Sequence, residues 1–542
     1  MIALLLAASV ASFDWVDYRG ADPVDRAPVA RGQFRNPILQ GFYPDPGIVR
    51  VGPDYYLVNS TFGWFPGIPV FHSRDLVTWR QIGNAIDRPE QLDFARLGLS
   101  RGVFAPAIDH HAGRFYIVNT CVDCGGNFVV TATDPAGPWS QPAWLPTLEG
   151  GIDPSLFFDD DGSAWIVNNG PPPGKPRYDG HRAIWAQRFD PKTLTATGPR
   201  TVLIDGGIRP ADKPVWIEGP HIFKRDGWYY LTCAEGGTSV NHSQVILRAR
   251  RPDGPYAVAP GNPILTQRDL PADRSNPVTS AGHADFVTTP DGRWWVTFLA
   301  TRPYAGDLYN TGRETFLLPV AWQDGWPRIL PAATPVPLRA VRPALPADPP
   351  APPTSGAFGW RDEFDAPALG REWMMMRQPA SRWYTLSGGA LRLEARPVWL
   401  ADKANPSFLA RRQQHAHATI TTRVRFAGAA PGDRAGLAAL QNDDAWYAIA
   451  VVRTPGGQAV RVTARTAAAD PAAGRILAEA PLAATGPVDL RIIADGARYR
   501  FAYTVAGRWR DLGPPQDGTV LSTAKAGGFV GTMIGPFAEA AR

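Results

Sequence analysis

Cysteine is scarce. Three residues in a chain of 542 cannot build a disulfide framework or a four-thiolate zinc site. Two of them, Cys121 and Cys124, form a C-x-x-C on a glycine-rich loop. Without the βαβ setting of a redox motif, the pair reads as a local disulfide or as two free thiols. Long apolar runs are missing as well: no stretch reaches the ~20 residues of a membrane-spanning helix, so no membrane partner is expected. The short run at residues 1–12 (MIALLLAASVAS) ends in small residues and resembles a signal peptide, although it carries no Lys or Arg. On that reading the protein is secreted or periplasmic. No Lys/Arg-rich run interleaves with aromatics and the net charge is only +5, which excludes nucleic acid as a partner. Capped segments of 3.6-residue period are also absent, apart from a short possible helix near Gln91–Leu97.

What is present is β signal and tryptophan. The 19 Trp mostly suit strand cores, but their flat faces also suit ligands with apolar C–H surfaces. The length calls for at least two domains. Between residues 45 and 300 one pattern occurs five times, headed by Asp45, Ala105, Asp153, Glu218 and His283. Each unit has a small, acidic or polar head, an apolar pair, a polar turn with glycine (Gly52, Gly113, Gly162, Gly227, Gly292), and an aromatic strand. The heads stand 48 to 65 residues apart, a spacing that suits four-stranded blades carrying insertions. Ser73-Arg-Asp-Leu…Trp79, Asp134-Pro-Ala-Gly-Pro-Trp139 and Pro252-Asp-Gly-Pro-Tyr256 read as one outer-strand turn in three blades. The expected fold is all-β: a five-bladed β-propeller over 34–330, a Pro-rich linker or surface strap over 331–355, and a β-sandwich over 356–542. Residues 13–33 read as an irregular lead-in arm.

A propeller turns its innermost strands toward one axis, so Asp45, Asp153 and Glu218 would face one another. Crowded carboxylates raise one another's pKa and do nothing for folding. Paired carboxyls across a cleft are what glycoside hydrolysis uses, one protonated to serve the leaving oxygen and one ionised to act on water or sugar. A lone Asp-Pro is ordinary turn chemistry; three acidic heads at matching places in the repeat favour the catalytic reading.

These residues also carry a family resemblance. Phe42-Tyr-Pro-Asp45-Pro-Gly-Ile-Val, Gly151-Ile-Asp153-Pro-Ser-Leu-Phe and Ile217-Glu218-Gly-Pro-His resemble the three catalytic motifs of glycoside hydrolase family 43. Thr61-Phe62-Gly-Trp64-Phe65-Pro-Gly, Ala234-Glu-Gly-Gly-Thr, Ser280-Ala-Gly-His283-Ala and Thr311-Gly-Arg313-Glu-Thr extend the similarity. Arg361-Asp-Glu-Phe-Asp365 and Arg411-Arg-Gln-Gln-His415 are similar to its concanavalin-like module. The resemblance implies an inverting, exo-acting β-xylosidase or α-L-arabinofuranosidase that acts on oligosaccharides without a required cofactor. Asp45 would be the base, Glu218 the acid, and Asp153 the residue that orients Glu218 and raises its pKa. Inversion implies base and acid roughly 6.5–9.5 Å apart. Arg313 would reach sugar hydroxyls or pair with a neighbouring acid. Phe62 and Trp64 would wall the pocket or pack the core. Phe104 would keep an aromatic wall where the family has Trp, although Ile108-Asp109 shifts the acid of that motif. His283 would lie beneath the cleft, near a calcium or as a plain hydrogen-bonded histidine. The final Gly535-Pro-Phe-Ala-Glu-Ala lacks an aspartate-rich strand and argues against calcium in the last domain. Two rivals remain: a retaining fructan-processing propeller, disfavoured because Ile152 stands where an Arg would precede Asp-Pro, and a non-catalytic carbohydrate-binding protein. Loops such as Gly170–Gly180 are expected to decide between the two sugars.

Overall fold

Alternation of apolar residues on both faces of short strands builds five antiparallel sheets in succession. The computed structural model describes residues 9–482 and 486–542. The innermost strands are Gly47–Val51, Ala107–His111, Ile152–Phe158, Glu218–Arg225 and Thr279–Thr288; each neighbours the next and the fifth returns to the first. This is a five-bladed propeller. Because each blade is covered on both faces, its strands alternate between two interblade cores. Ile48 packs with Leu57, Val287 and Trp295 between the fifth and first blades, and Leu156 packs with Tyr116 and Ile166 between the second and third. The three outer turns share one device. Trp79 Nε1 donates to the Leu76 carbonyl (3.0 Å), Trp139 Nε1 to Pro135 (3.3 Å) and the Tyr256 hydroxyl to Pro252 (3.1 Å), so an aromatic ring plugs each turn and satisfies a carbonyl within it.

The second domain is a sandwich of a nine-stranded and an eight-stranded sheet. Two segments from outside 356–542 belong to it. Val10–Gly20 lies inside the nine-stranded sheet, paired with Leu391–Glu394 on one side and His417–Arg425 on the other. The lead-in arm therefore begins as strand, over residues 13–20, and Ala11, Phe13, Val16 and Tyr18 are buried in the core. Cleavage after residue 12 would remove paired strand, so the proposed signal-peptide boundary does not fit the fold; residues 1–8 lie outside the described residues. The other intruder is Trp64–Phe65 of the first blade, which pairs with Met374–Met376 at the edge of the eight-stranded sheet.

No helix forms near Gln91–Leu97. The Gln91 amide oxygen accepts the N–H groups of Asp87 and Arg88 (3.0 Å each), and its NH2 donates to the carbonyls of Ala85 and Ser140, so the side chain organises a turn. The only α-helix among the described residues is the single turn Thr523–Ala526, and none is long and apolar enough to cross a membrane.

Residues 331–355 run as a strap across the propeller: Arg339–Val341 pairs with Gln33–Arg35, Arg342 binds Asp75 (2.6 Å), and the Thr354 hydroxyl donates to the Ile38 carbonyl (2.8 Å). The Arg411–His415 segment bolts the sandwich to the chain just before Asp45. Arg412 Nε donates to the Phe42 carbonyl (2.5 Å) while its guanidinium lies 4.1 Å from the Tyr43 ring centre, and the Gln414 amide donates to the Gln40 carbonyl (3.0 Å).

Candidate active site

The strand heads meet at one pocket of about 430 Å³, lined by Asp45, Ala105, Asp153, Glu218, His283 and Arg313, with Phe62, Phe104 and Phe529 as aromatic walls. Three of the five heads share a backbone conformation. Asp45, Asp153 and His283 sit at φ 52°, 52° and 53°, in the left-handed region, which bulky residues leave when nothing holds them there. In the third, fourth and fifth blades the strand pairing slips at this point, which bends the strand end toward the pocket.

Glu218 is not in register with the other acids. Counting back from the apolar pair Ile222-Phe223, the residue equivalent to Asp45 and Asp153 is Gly219, whose φ is also 52°. A Cβ on Gly219 would stand 2.8 Å from the His283 ring, so the fourth head must be glycine, and the acid comes from the residue before it. The Gly219 N–H donates to Asp153 Oδ2 (3.1 Å) and ties the third head to the peptide beside Glu218.

The three acids stand in unlike surroundings. Asp45 accepts from Arg313 Nη1 at Oδ1 (2.8 Å), from Arg313 Nη2 at Oδ2 (3.4 Å) and from the Ser60 hydroxyl at Oδ2 (2.5 Å). A carboxylate offers about four lone-pair sites, so about one remains for a water. Burial and then the Asp45 charge push Glu218 up to about 7, against the pull of Arg313 and Arg182. Asp153 is held well above the usual carboxylate range by burial, then by the charges of Glu218 and Asp45. The charge that acts most on Glu218 is that of Asp45, across the pocket. The His283 Nδ1 lies 4.0 Å from Asp45 Oδ1, and burial pushes this imidazole down to about 4, so it is neutral near pH 7.

Several expected site residues stand elsewhere or are otherwise engaged. Trp64 does not line the pocket. It is fully buried between the domains, edge-on to Phe408 at 6.2 Å, because its strand belongs to the sandwich sheet. Arg313 does line the pocket, but both its terminal nitrogens are on Asp45; its Nε is buried without a partner. Asp109 lies outside the lining, where burial and the nearby Asp285 raise its pKa. None of residues 170–180 lines the pocket; that loop acts through the Gly180 carbonyl, which accepts the N–H of pocket-lining Trp216 (3.0 Å). Among the described residues no group of three or more His, Cys, Asp or Glu is arranged to hold a metal.

Phe529 is the wall that sequence reasoning missed. It comes from the sandwich, stacks on Phe62 (5.6 Å, 24°) and meets Phe104 edge-on (5.8 Å). Its N–H is held by the Ser100 hydroxyl (2.9 Å). The sandwich therefore closes the active site. The two neighbouring glycines, Gly527 and Gly528, were the one available hint of a loop reaching outward.

Residues 34–327 match the model of glycosyl hydrolases family 43, and residues 361–542 match that of the β-xylosidase C-terminal concanavalin A-like domain. The chain belongs to glycosyl hydrolases family 43. Within this glycoside hydrolase family it is 38% identical to a xylosidase/arabinosidase of Butyrivibrio fibrisolvens, over 93% of this chain and 95% of the relative. It is 36% identical to a non-reducing end α-L-arabinofuranosidase of Bacteroides ovatus, over 94% and 92%. Among solved structures it resembles a GH43_12 protein from a capybara gut metagenome (TM-score 0.92, 38% identity, 98% of this chain and 100% of that one). It also resembles a xylan β-1,4-xylosidase from Bacillus halodurans (TM-score 0.82, 32% identity, 93% and 96%). Enzymes of family 43 need no cofactor.

Proposed function

We propose that the chain is an inverting, exo-acting glycosidase that releases xylose and/or arabinose from xylo-oligosaccharides or arabinoxylan side chains. The observation that carries this reading is the contrast between two carboxyls of one pocket. Glu218 is pushed up to about 7 and so holds a proton near neutrality, whereas Asp45 is surrounded by donors that keep it an acceptor. In this mechanism Asp45 takes a proton from water as the water oxygen bonds to the anomeric carbon. The bond from that carbon to the glycosidic oxygen breaks, and Glu218 gives its proton to the departing oxygen. The released sugar has inverted configuration, Asp45 ends protonated and Glu218 ionised, and exchange with water restores both.

Asp153 orients this machinery through the Gly219 N–H, which donates to its carboxyl beside Glu218. Arg313 fixes Asp45, and the second N–H of each terminal nitrogen is left to donate to a sugar hydroxyl. Phe62, Phe104 and Phe529 enclose the terminal ring on apolar faces, which favours attack at chain ends. The names of the relatives from Butyrivibrio fibrisolvens and Bacteroides ovatus support both sugars. Calcium beside His283 is not part of this reading. The ion takes six to eight oxygen ligands, while the neighbours of His283 are the imidazoles of His242 and His221 and the carboxylate of Asp45, which already faces Arg313. The Cys121–Cys124 disulfide favours work in an oxidising, secreted or periplasmic compartment.

Hydrolysis of aryl β-xyloside and aryl α-L-arabinofuranoside by wild type and Glu218→Gln tests the assignment. A large loss for the variant on every accepted substrate is expected; unchanged rates would remove Glu218 from the mechanism. NMR of the first-formed anomer checks inversion.

A further inference from the structure

The pocket wall next to Glu218 holds a tryptophan in a conformation that tryptophan rarely adopts. Trp216 lines the pocket two residues before Glu218, with φ 45°. Left-handed backbone presses a β-carbon against the following carbonyl, so a bulky residue stays there only when its surroundings over-determine it. They do so here. The Trp216 N–H donates to the Gly180 carbonyl (3.0 Å), and the Arg182 guanidinium lies 4.7 Å from the indole centre. Arg182 is itself pinned: Nε and Nη2 donate to Asn169 Oδ1 (2.9 and 2.7 Å), and Nη2 also donates to the Gly150 carbonyl (2.6 Å). Asn169 closes the circuit by donating its NH2 to the Ile217 carbonyl (2.6 Å), the peptide between Trp216 and Glu218.

The indole is only half-buried, so this network does not serve to hide it from water. We propose that Trp216, clamped by Arg182, is the platform for the departing sugar and sets the preference for oligosaccharide over small leaving groups. The inference rests on the reading of Glu218 as proton donor. The proton goes to the glycosidic oxygen, so the departing ring lies on the Glu218 side of the pocket, where Trp216 stands. With Arg182 over one face of the indole and the residue lining the pocket, the ring would offer its other face to the C–H face of a pyranose. Arg182 is a positioning residue: it fixes the angle of the indole, and its charge lowers the pKa of the neighbouring Glu218.

Two substrates separate the platform from the chemistry. Xylobiose leaves as a sugar ring; β-D-xylosyl fluoride loses only fluoride, which has no ring to stack. Trp216→Ala should lower kcat/KM on xylobiose at least tenfold and leave that on the fluoride within twofold. Trp216→Phe should recover most of the loss. Arg182→Met should lower the xylobiose value three- to tenfold, chiefly through KM. Activity on the fluoride also shows that each variant is folded. Parallel losses on both substrates, or full activity of Trp216→Ala on xylobiose, would overturn the platform while leaving the glycosidase reading intact. A wild type inert on both xylosides and on aryl α-L-arabinofuranoside would overturn the glycosidase reading and the platform with it. A wild type that releases arabinose alone calls for the same comparison with an arabinoxylo-oligosaccharide and α-L-arabinofuranosyl fluoride, with the same outcomes deciding.

Discussion

Gly312 of the propeller and Gly531 of the sandwich meet backbone to backbone. A Cβ on Gly312 would lie 3.0 Å from the Gly531 Cα, and one on Gly531 would lie 2.7 Å from the Thr311 carbonyl oxygen. Arg313 follows directly, and Phe529 stands two residues before Gly531, its ring centre 5.6 Å from the Arg313 guanidinium. Two domains therefore place an arginine and an aromatic wall in one pocket through a contact that tolerates no side chain. Gly531→Val should push them apart, costing about 1–3 kcal/mol of stability, as overpacking generally does. Substrate KM should rise in the folded enzyme. Calorimetry and steady-state kinetics check both, and an unchanged KM would mean that Phe529 does not depend on this contact.

Glu218 couples activity to instability. Its carboxyl rises from an ordinary 4.5 to about 7 on folding, so between those values the folded protein holds a proton that the unfolded chain has released. Stability therefore falls as pH rises through this window, and the deficit persists above it, at about 3 kcal/mol. Glu218→Gln removes the deficit. It should raise the melting temperature at pH 8, make little difference near pH 4, and lower kcat/KM on xylobiose by about 10²–10⁴-fold. Wild-type kcat/KM should fall as pH rises past about 7.

Asp45 and Arg313 form a buried ion pair, and a broken buried pair costs more than a missing one. Arg313→Met should destabilise the fold by about 3–5 kcal/mol by leaving Asp45 buried without its cation. Asp45→Asn combined with Arg313→Met should recover part of that stability and none of the activity. A double-mutant cycle in urea measures the coupling; strict additivity would mean the pair contributes nothing.

Phe62 and Trp64 should separate by phenotype. Trp64→Ala opens a cavity between the domains and should cost about 3–5 kcal/mol, with little change in KM for the protein that remains folded. Phe62→Ala removes a wall of the pocket and should raise KM severalfold. Denaturant titration beside kinetics distinguishes the two effects.

The propeller was legible because its repeat is local: head, apolar pair, turn and aromatic strand recur within stretches short enough to compare by eye. The convergence of Asp45, Asp153 and Glu218 followed from that repeat. The one-residue offset of Glu218 did not, because it depends on the ring of His283 filling the space beside Gly219, a contact between blades. Trp64 and Phe62 look alike in sequence, since an aromatic strand residue suits a core as well as a pocket; only the pairing of Trp64–Phe65 with Met374–Met376 tells them apart. Phe529 was hidden by distance along the chain from the acids it encloses. Val10–Gly20 was hidden by an irregularity between Phe13 and Trp15, which breaks the alternation that would have marked a strand.

That strand has a consequence for how the molecule is made. The partners of Val10–Gly20 all lie beyond residue 358, with the complete propeller between them. A ribosome adding roughly 5–20 residues per second takes on the order of 20–70 s to cover that gap. Topologically the propeller is an insertion within the sandwich, so five blades can assemble while the first strand of the other domain waits, extended and unpaired, for sequence not yet translated. The nascent chain is most exposed to edge-to-edge association during that interval, and it ends when the strands after residue 358 emerge and enclose Val10–Gly20 on both sides.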